Sequence, residues 1–252
     1  KQISMAFGYE ENLPEFEQDM ERVKNALLAY AWDEESGYFG YAVQGQDGVH
    51  ILRTEAGENY NKGVDGVTPL IAGICSKEQE KQLLKKHLKS PEELWSPVGI
   101  STVDMSASYY YDNGYWNGSV WCPYQYFLWK AMLDIGEGQF AFDIAHRGLN
   151  SWKQEIEFSY NTFEMIQIET ERGGWFHQFS GLSTPISIWY NAYYKRGTLT
   201  TGYDTWIEKK EISEDVDHAE IVYSTTGTHT GVLLIVMNSL YHYDVEIDGK
   251  KA

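Results

Sequence analysis

The chain has 252 residues, 42% of them hydrophobic, which is enough for one large domain or for one domain plus a smaller one. Its formal net charge of −17 argues against nucleic acids and anionic membranes as partners, because both select basic surfaces. No apolar run approaches the roughly 18 residues of a membrane span, and two cysteines are too few for a disulfide scaffold.

The first predicted element is a helix over residues 13–30. Pro14 is tolerated in a first helical turn, and Asn12 with Glu15 resembles a capping pair. Apolar residues recur at steps of three and four, which predicts one apolar face formed by Phe16, Met20, Val23, Leu27 and Tyr30.

Turn-rich sequence follows this helix. Residues 33–37 predict a turn between short extended pieces, and residues 44–67 predict a long loop. Ser76 and Gln79 begin a second predicted helix, which runs from residue 77 to about residue 89.

The middle of the chain combines an aromatic loop with further helices. Residues 101–114 are polar and aromatic and predict an extended loop. Helices are predicted over residues 118–135, 138–155 and 184–194, the last with Pro185 near its start. This loose recurrence of helix, aromatic loop and helix is typical of toroids built from helical hairpins.

The pattern changes after Gly197. Short β-branched and aromatic runs separated by Gly, Asn or Ser predict a small antiparallel β unit, with Asp248-Gly249 as a hairpin turn signal. The sequence therefore predicts two domains, residues 1–200 and residues 201–252, the first of them mainly helical.

Several kinds of chemistry lack their sequence signatures. The seven histidines never fall at paired ligand spacing, so we expect no metal site, and no glycine-rich phosphate loop opens a helix. A Gly-x-Ser-x-Gly elbow is missing as well, and Cys122, between Trp121 and Pro123, is better explained as a packed small residue. We therefore expect no cofactor.

Carboxylates and aromatic residues are the remaining candidates. Glu164 lies between Phe163 and Met165, and burial among apolar neighbours can make a carboxylate useful for proton transfer near neutral pH. A surface glutamate on a sheet edge explains the same local sequence equally well. Flat aromatic faces suit the apolar sides of sugar rings, and the nearby candidates are Trp175, Phe176 and Phe179.

Amide side chains could hydrogen-bond the hydroxyls of such a ligand. The candidates are Asn117, Gln125, Asn161 and Gln178, although each also fits an ordinary loop or capping role. Glu169 and Glu171, close to Arg172 and Gly173, fit a solvated turn.

Four segments together resemble a known family. They are "WDEESGYFGYAV", "GVDGVTPLIAGICSKEQEKQLL", "YWNGSVWCPYQYFLW" and "FEMIQIETERGGWFHQFSGLSTPI". In this order they resemble the (α/α)6-barrel glycosidases, most closely glycoside hydrolase family 63 and its mannosylglycerate-hydrolase-like relatives, with trehalases more distant. The resemblance covers roughly residues 30 to 195.

The resemblance implies a mainly α fold, part of an (α/α)6 toroid, and inverting hydrolysis of α-glycosides. In that reaction one acid protonates the leaving oxygen while one base activates water on the other face of the sugar. Glu164 matches the family's general base. Trp116 and Trp121 match its sugar-pocket aromatics, with Tyr115 and Gly118 shaping the turn. Together with residues named above, the candidate substrate-binding residues are Tyr115, Trp116, Asn117, Gly118, Trp121, Gln125, Trp175 and Phe179.

The chain departs from a complete enzyme of this family in two ways. The general acid is expected to be an aspartate upstream of this region, and Asp33, Asp65 and Asp104 do not match its motif. A complete barrel has twelve helices, whereas five or six are predicted here. We therefore expect this chain to be the C-terminal half, with the missing N-terminal half of the barrel as its partner and an apolar flank left exposed.

The sequence leaves other functions open. The chain could be a carbohydrate-binding module without catalysis, a structural domain whose aromatic residues only pack, or a rhamnosidase- or trehalase-type enzyme. For a hydrolase, the expected substrates are glucosides or mannosides of small sugars or oligosaccharides. We expect a soluble protein, either cytoplasmic or secreted with its signal absent from this chain.

Overall fold

The computed structural model describes residues 2–251. Helices account for 38% of the structure and strands for 22%, so helix predominates. The α-helices are α1 (Gln2–Ala6), α2 (Leu13–Tyr30), α3 (Lys77–Gln82), α4 (Cys122–Asp134), α5 (Gly138–Ser159) and α6 (Thr184–Tyr194). Helix α3 continues as a π-helical stretch over Leu83–Leu88, and 3-10 turns cover Glu10–Asn12, Val64–Leu70 and Ser180–Ser183.

The strands form small antiparallel sheets. They are β1 (Trp32–Asp33), β2 (Tyr38–Phe39), β3 (Ala42–Gly45), β4 (Gly48–Ile51), β5 (Trp95–Ser96), β6 (Gly99–Ile100), β7 (Ser119–Val120), β8 (Phe163–Gln167), β9 (Gly173–His177), β10 (Leu199–Thr200), β11 (Thr205–Ile212), β12 (Ala219–Thr225), β13 (Leu234–Ile235), β14 (Glu246–Ile247) and β15 (Lys250–Lys251). Within the described chain, the sheet β7-β8-β9 has three strands and the other sheets are two-stranded.

The main core lies between α4, α5 and α6. Trp129 of α4 and Trp189 of α6 are fully buried, as is Ile144 of α5. Gly148 lets α5 approach α6 closely, because a Cβ at this position would collide with the Trp189 ring. The helix predicted from residue 138 is confirmed and extends to Ser159, with Phe140, Ile144 and Ala145 in the core.

Helix α2 has the predicted bounds, but its apolar face is not covered. None of its residues is buried, and Met20 is 58% and Val23 54% exposed. Only Leu27 and Leu28, near its C-terminal end, pack against the main core. The predicted apolar flank is therefore present in the structure.

The predicted capping pair at the start of α2 is wrong. Asn12 closes a 3-10 turn with φ −93° and ψ −6°, and within the described chain its side chain makes no capping hydrogen bond. An N-cap side chain reaches the helix when its own backbone is extended, which this turn prevents. At α3, Ser76 is extended and forms the complete capping box with Gln79.

Two predicted boundaries are corrected. The predicted loop 44–67 contains most of the β3-β4 hairpin, whose Asp47-Gly48 turn is an ordinary hairpin signal. The helix predicted from residue 118 begins only at Cys122, because residues 119–120 pair with β8 as strand β7.

The C-terminal β unit packs against the C-terminal end of α4. Asp134 accepts backbone hydrogen bonds from Tyr203 (2.7 Å) and Asp204 (3.0 Å), and Lys130 donates to the Gly202 carbonyl (2.8 Å). The Asp248-Gly249 turn predicted from sequence joins β14 to β15, with positive φ at both residues, as a type I′ turn requires.

Both cysteines are free thiols. Cys122 is buried at the start of α4 and Cys75 is partly buried before α3. Burial raises the pKa of each thiol to about 12.

Among residues 2–251, no helix has both the length and the apolar character needed to cross a membrane. The same residues contain no group of three or more His, Cys, Asp or Glu side chains placed to hold a metal ion.

Candidate active site

The aromatic loop before α4 folds tightly on itself. Tyr111 donates its backbone N–H to the Asn117 carbonyl (2.9 Å), and the Asn117 side chain donates to the Tyr109 carbonyl (2.8 Å). A Cβ at Gly118 would overlap the Tyr111 carbonyl oxygen, so only glycine fits there. These contacts explain the Gly-Tyr-Trp-Asn-Gly sequence and hold residues 115 and 116 at the tip of the loop.

Tyr115 is the centre of a cluster of aromatic rings. Its ring meets Trp116, Trp121 and Trp175 edge to face, with centroids 5.3, 4.8 and 5.1 Å away. Trp116 stacks on Trp121 at 4.1 Å and 11°, and the Trp121 indole donates to the Tyr115 carbonyl (2.9 Å). Trp121 is buried, whereas Trp116 and Trp175 are more than half exposed, so the cluster presents indole surface to solvent.

The sheet β7-β8-β9 brings Glu164 to this cluster. Strand β7 directly follows the aromatic loop, and its residue Val120 pairs with Ile166 of β8. The β8-β9 register shifts between Phe163 and Met165, opposite residues 175–176. Trp175 has φ 60°, a conformation that is uncommon for a bulky residue and that recurs at functional sites.

The carboxylate of Glu164 is buried but only partly hydrogen-bonded. The Tyr115 hydroxyl donates a short hydrogen bond to Oε1, and the residue is 6% exposed. Its other oxygen, Oε2, is buried without a hydrogen-bond partner among residues 2–251. Such a group is uncommon in a folded protein, because buried polar atoms are nearly always paired.

The hydrogen bond to Glu164 fixes the protonation state of the Tyr115 hydroxyl. The hydrogen bond to Glu164 raises the pKa of the Tyr115 hydroxyl, because losing the proton would place two negative charges together. Tyr115 therefore keeps its proton at neutral pH and acts as the donor.

A second buried glutamate holds the β8-β9 turn. Arg172 donates to both oxygens of Glu155, from Nε to Oε2 at 2.7 Å and from Nη2 to Oε1 at 3.3 Å, and Gly173 donates its backbone N–H to Oε2 at 3.0 Å. Burial alone would raise the pKa of Glu155, but these hydrogen bonds hold it below its ordinary value. This pair ties the turn to α5, and Glu169 and Glu171 of the turn are exposed, as predicted.

Of three further residues predicted to bind the ligand, two bond the protein backbone and one lies apart from the ring cluster. Gln125 is buried and both polar atoms of its side-chain amide bond the backbone of Ile100 (2.8 Å each), which leaves it no free group for a sugar. Asn117 likewise braces the loop through Tyr109. Phe179 is 41% exposed after β9, and in the described range no ring contact joins it to the Tyr115 cluster.

Three aspartates do not match the family's general-acid motif. The structure shows each of them either paired with other side chains or exposed to solvent. Asp33 is buried against Arg53 (2.8 Å) and Ser36 (2.7 Å). Asp104 is buried, accepts two hydrogen bonds from Ser106 and lies 3.6 Å from the Lys62 ammonium. Asp65 is exposed.

Sequence reasoning missed two of these relationships. We expected Tyr115 to shape the turn and to bind substrate, whereas the structure hydrogen-bonds it to Glu164, and no motif indicates the Glu155–Arg172 pair. The first contact spans 49 residues and the second 17, beyond the reach of any local pattern.

A buried, half-paired carboxylate beside exposed indole faces on a helical scaffold is the kind of site that carbohydrate-active enzymes use. Residues 1–164 match the family described as the mannosylglycerate hydrolase MGH1-like glycoside hydrolase domain. That match covers well over half of the chain and reaches Glu164, so the chain belongs to this glycoside hydrolase family.

Solved structures share the fold at low sequence identity. The family 63 mannosylglycerate hydrolase from Thermus thermophilus, in complex with glucose, is 22% identical with a TM-score of 0.59 over 75% of this chain and 43% of its own. The neutral trehalase from Saccharomyces cerevisiae is 18% identical with a TM-score of 0.50, over 69% of this chain and 30% of its own. The chain therefore spans less than half the length of either structure. No curated protein matches the sequence.

Proposed function

We propose that the complete protein is an inverting α-glycosidase acting on glucosides or mannosides of small sugars, with Glu164 as its general base. The observation that carries this proposal is the state of the Glu164 carboxylate: buried, held through Oε1 by Tyr115, and unpaired at Oε2 beside the indole cluster. Family membership supports the same class of reaction.

In the proposed reaction, Oε2 of Glu164 accepts a proton from a water molecule. That water attacks the anomeric carbon as the glycosidic C–O bond breaks, and a general acid protonates the leaving oxygen. The acid lies on residues outside this chain, about 6.5–9.5 Å from Glu164, which is the separation that accommodates the water. Trp116 and Trp175 provide flat faces for the sugar ring.

The ligands bound in the structural neighbours suggest which substrates to assay first. One Thermus thermophilus structure contains glucose and another contains D-glycerate. Mannosylglycerate and α-linked disaccharides of glucose are therefore the first substrates to assay.

Two measurements test this proposal. Proton NMR of the first product formed from an α-linked substrate should show the β-anomer, as inversion requires, and an α-anomer would contradict it. Calorimetry on Glu164→Gln should show retained sugar binding with turnover lost. Binding without hydrolysis in the wild-type complete protein would instead favour a carbohydrate-binding module.

We further propose that this chain is half of an (α/α)6 toroid and that the remaining helices of the same barrel cover its open surfaces. Two apolar surfaces support this: the α2 face containing Met20 and Val23, and an open groove between α5 and α6 lined by Leu149, Ile186 and Tyr190. The solved structures extend well beyond the part that aligns with this chain.

Charge placed on the α2 face tests the toroid proposal. Val23→Glu should destabilise the complete barrel and leave the isolated chain unchanged in thermal unfolding, because only the barrel buries this face. Glu21→Lys on the opposite side of α2 is the matched control and should affect neither. Equal unfolding of the barrel and its Val23→Glu variant would contradict the proposed closure.

A further inference from the structure

The carboxylate of Glu164 has a single protein hydrogen-bond donor within residues 2–251, the hydroxyl of Tyr115. We propose that Tyr115 is a positioning residue: its hydroxyl holds Oε1 of Glu164 so that Oε2 alone is presented to the reacting water. This inference rests on the proposed function, and it replaces the direct sugar contact predicted for Tyr115 from sequence.

The ring of Tyr115 is held on several sides. Trp121 and Trp175 meet it edge to face, and the Trp121 indole also bonds its backbone carbonyl (2.9 Å). The loop that carries Tyr115 is closed by the Tyr111–Asn117 hydrogen bond (2.9 Å). A donor fixed in this way loses little conformational freedom when it binds the carboxylate, so its direction determines the direction of Glu164.

The other titratable groups on the elements around Glu164 are either paired elsewhere or exposed. Glu155 of α5 is paired with Arg172, and Asp112 in the aromatic loop and His177 on β9 are exposed. Tyr115 is thus the group whose removal changes the hydrogen bonding of Glu164 directly.

The test is Tyr115→Phe in the complete protein. We expect kcat to fall about 10- to 100-fold with KM nearly unchanged, because a general base that is no longer held by its donor accepts the proton less efficiently while the sugar contacts remain. Unchanged near-UV circular dichroism establishes that the cluster is still folded. A rise in KM with kcat nearly unchanged would assign Tyr115 to sugar binding and overturn the proposal.

A second variant covers the case in which Tyr115→Phe does not fold. Site-specific 3-fluorotyrosine at position 115 keeps the ring and its hydroxyl donor. The hydrogen bond to Glu164 is then retained, so kcat should stay within about threefold of the wild-type value. A kcat lowered about tenfold or more with KM unchanged would contradict the positioning role.

Glu164→Gln separates this inference from the function on which it rests. If Glu164→Gln keeps wild-type turnover, the proposed function fails and Tyr115 loses its role with it. If Glu164→Gln is inactive while Tyr115→Phe has a wild-type kcat, only the positioning role fails. Trp116→Phe is the matched aromatic control, and it should alter KM without lowering kcat.

Discussion

Two buried glutamates, Glu155 of α5 and Glu164 of β8, differ in how completely they are paired. Glu155 accepts hydrogen bonds at both oxygens, from Arg172 and from the backbone of Gly173. Glu164 accepts one hydrogen bond, from Tyr115, and keeps its second oxygen unpaired within the described chain. Burial alone therefore does not distinguish these two carboxylates, whereas the hydrogen bonds of each oxygen do.

The largest expected effect comes from replacing each of the two glutamates in turn with glutamine. Glu164→Gln should lower kcat of the complete protein about 10³-fold, within the range for loss of a general base, and leave the free energy of unfolding nearly unchanged. Glu155→Gln is the matched control. It should keep most of the turnover and lower the free energy of unfolding, as followed by urea titration. Loss of turnover in both variants would remove the distinction.

The next largest effect is on stability. Arg172→Met leaves Glu155 buried without its charged partner and should lower the free energy of unfolding at pH 7, as followed by urea titration.

The pH dependence of this loss has a definite sign. The folded-state pKa of Glu155 is lowered, so its stabilisation is present above the unfolded pKa and is lost as pH falls through the folded value. The difference between wild type and Arg172→Met should therefore be largest above about pH 5 and shrink toward pH 3. A difference that grows on acidification would contradict the assignment.

A smaller effect is expected from the loop that carries Tyr115. Gly118→Ala would force a Cβ against the Tyr111 carbonyl, which should lower the free energy of unfolding by about 2 kcal/mol. Gly181→Ala is a useful control for glycine replacement itself, because neither glycine has a positive φ and a Cβ at Gly181 would make only an ordinary contact at 3.9 Å. Equal losses in the two variants would contradict the importance of the close approach at Gly118.

The smallest effect concerns the exposed indole. Trp116→Ala should weaken sugar binding about tenfold by calorimetry, the equivalent of about 1.4 kcal/mol, and leave Glu164 paired with Tyr115. Removal of Trp116 that unfolds the protein would instead favour the structural interpretation of the aromatic cluster.

The sequence predicted helices well where a helix carries its own signals. Periodicity set the bounds of α2 and α6, and Ser76 with Gln79 set the start of α3. Sequence predicted an exposed apolar flank but did not place it on α2, because the burial of each helix depends on what packs against it.

The candidate site was predicted only in part for the same reason. Glu164 and the tryptophans were identified from local motifs and from a family resemblance. The hydrogen bond that links Tyr115 to Glu164 depends on β7 pairing with β8, which joins segments about 47 residues apart. Asn12 shows the converse: the residue type suits a cap, but the preceding turn gives it the wrong backbone conformation.

The two native thiols have a practical consequence for such experiments. With pKa values of about 12, only about one thiol in ten thousand is ionised at pH 8, and the thiolate is the species that reacts with maleimides. A cysteine substituted for exposed Glu169, on the β8-β9 turn, should accept a fluorophore in a background that needs no prior cysteine removal. A change in its fluorescence on addition of a sugar would report binding near this turn, as the proposed function requires.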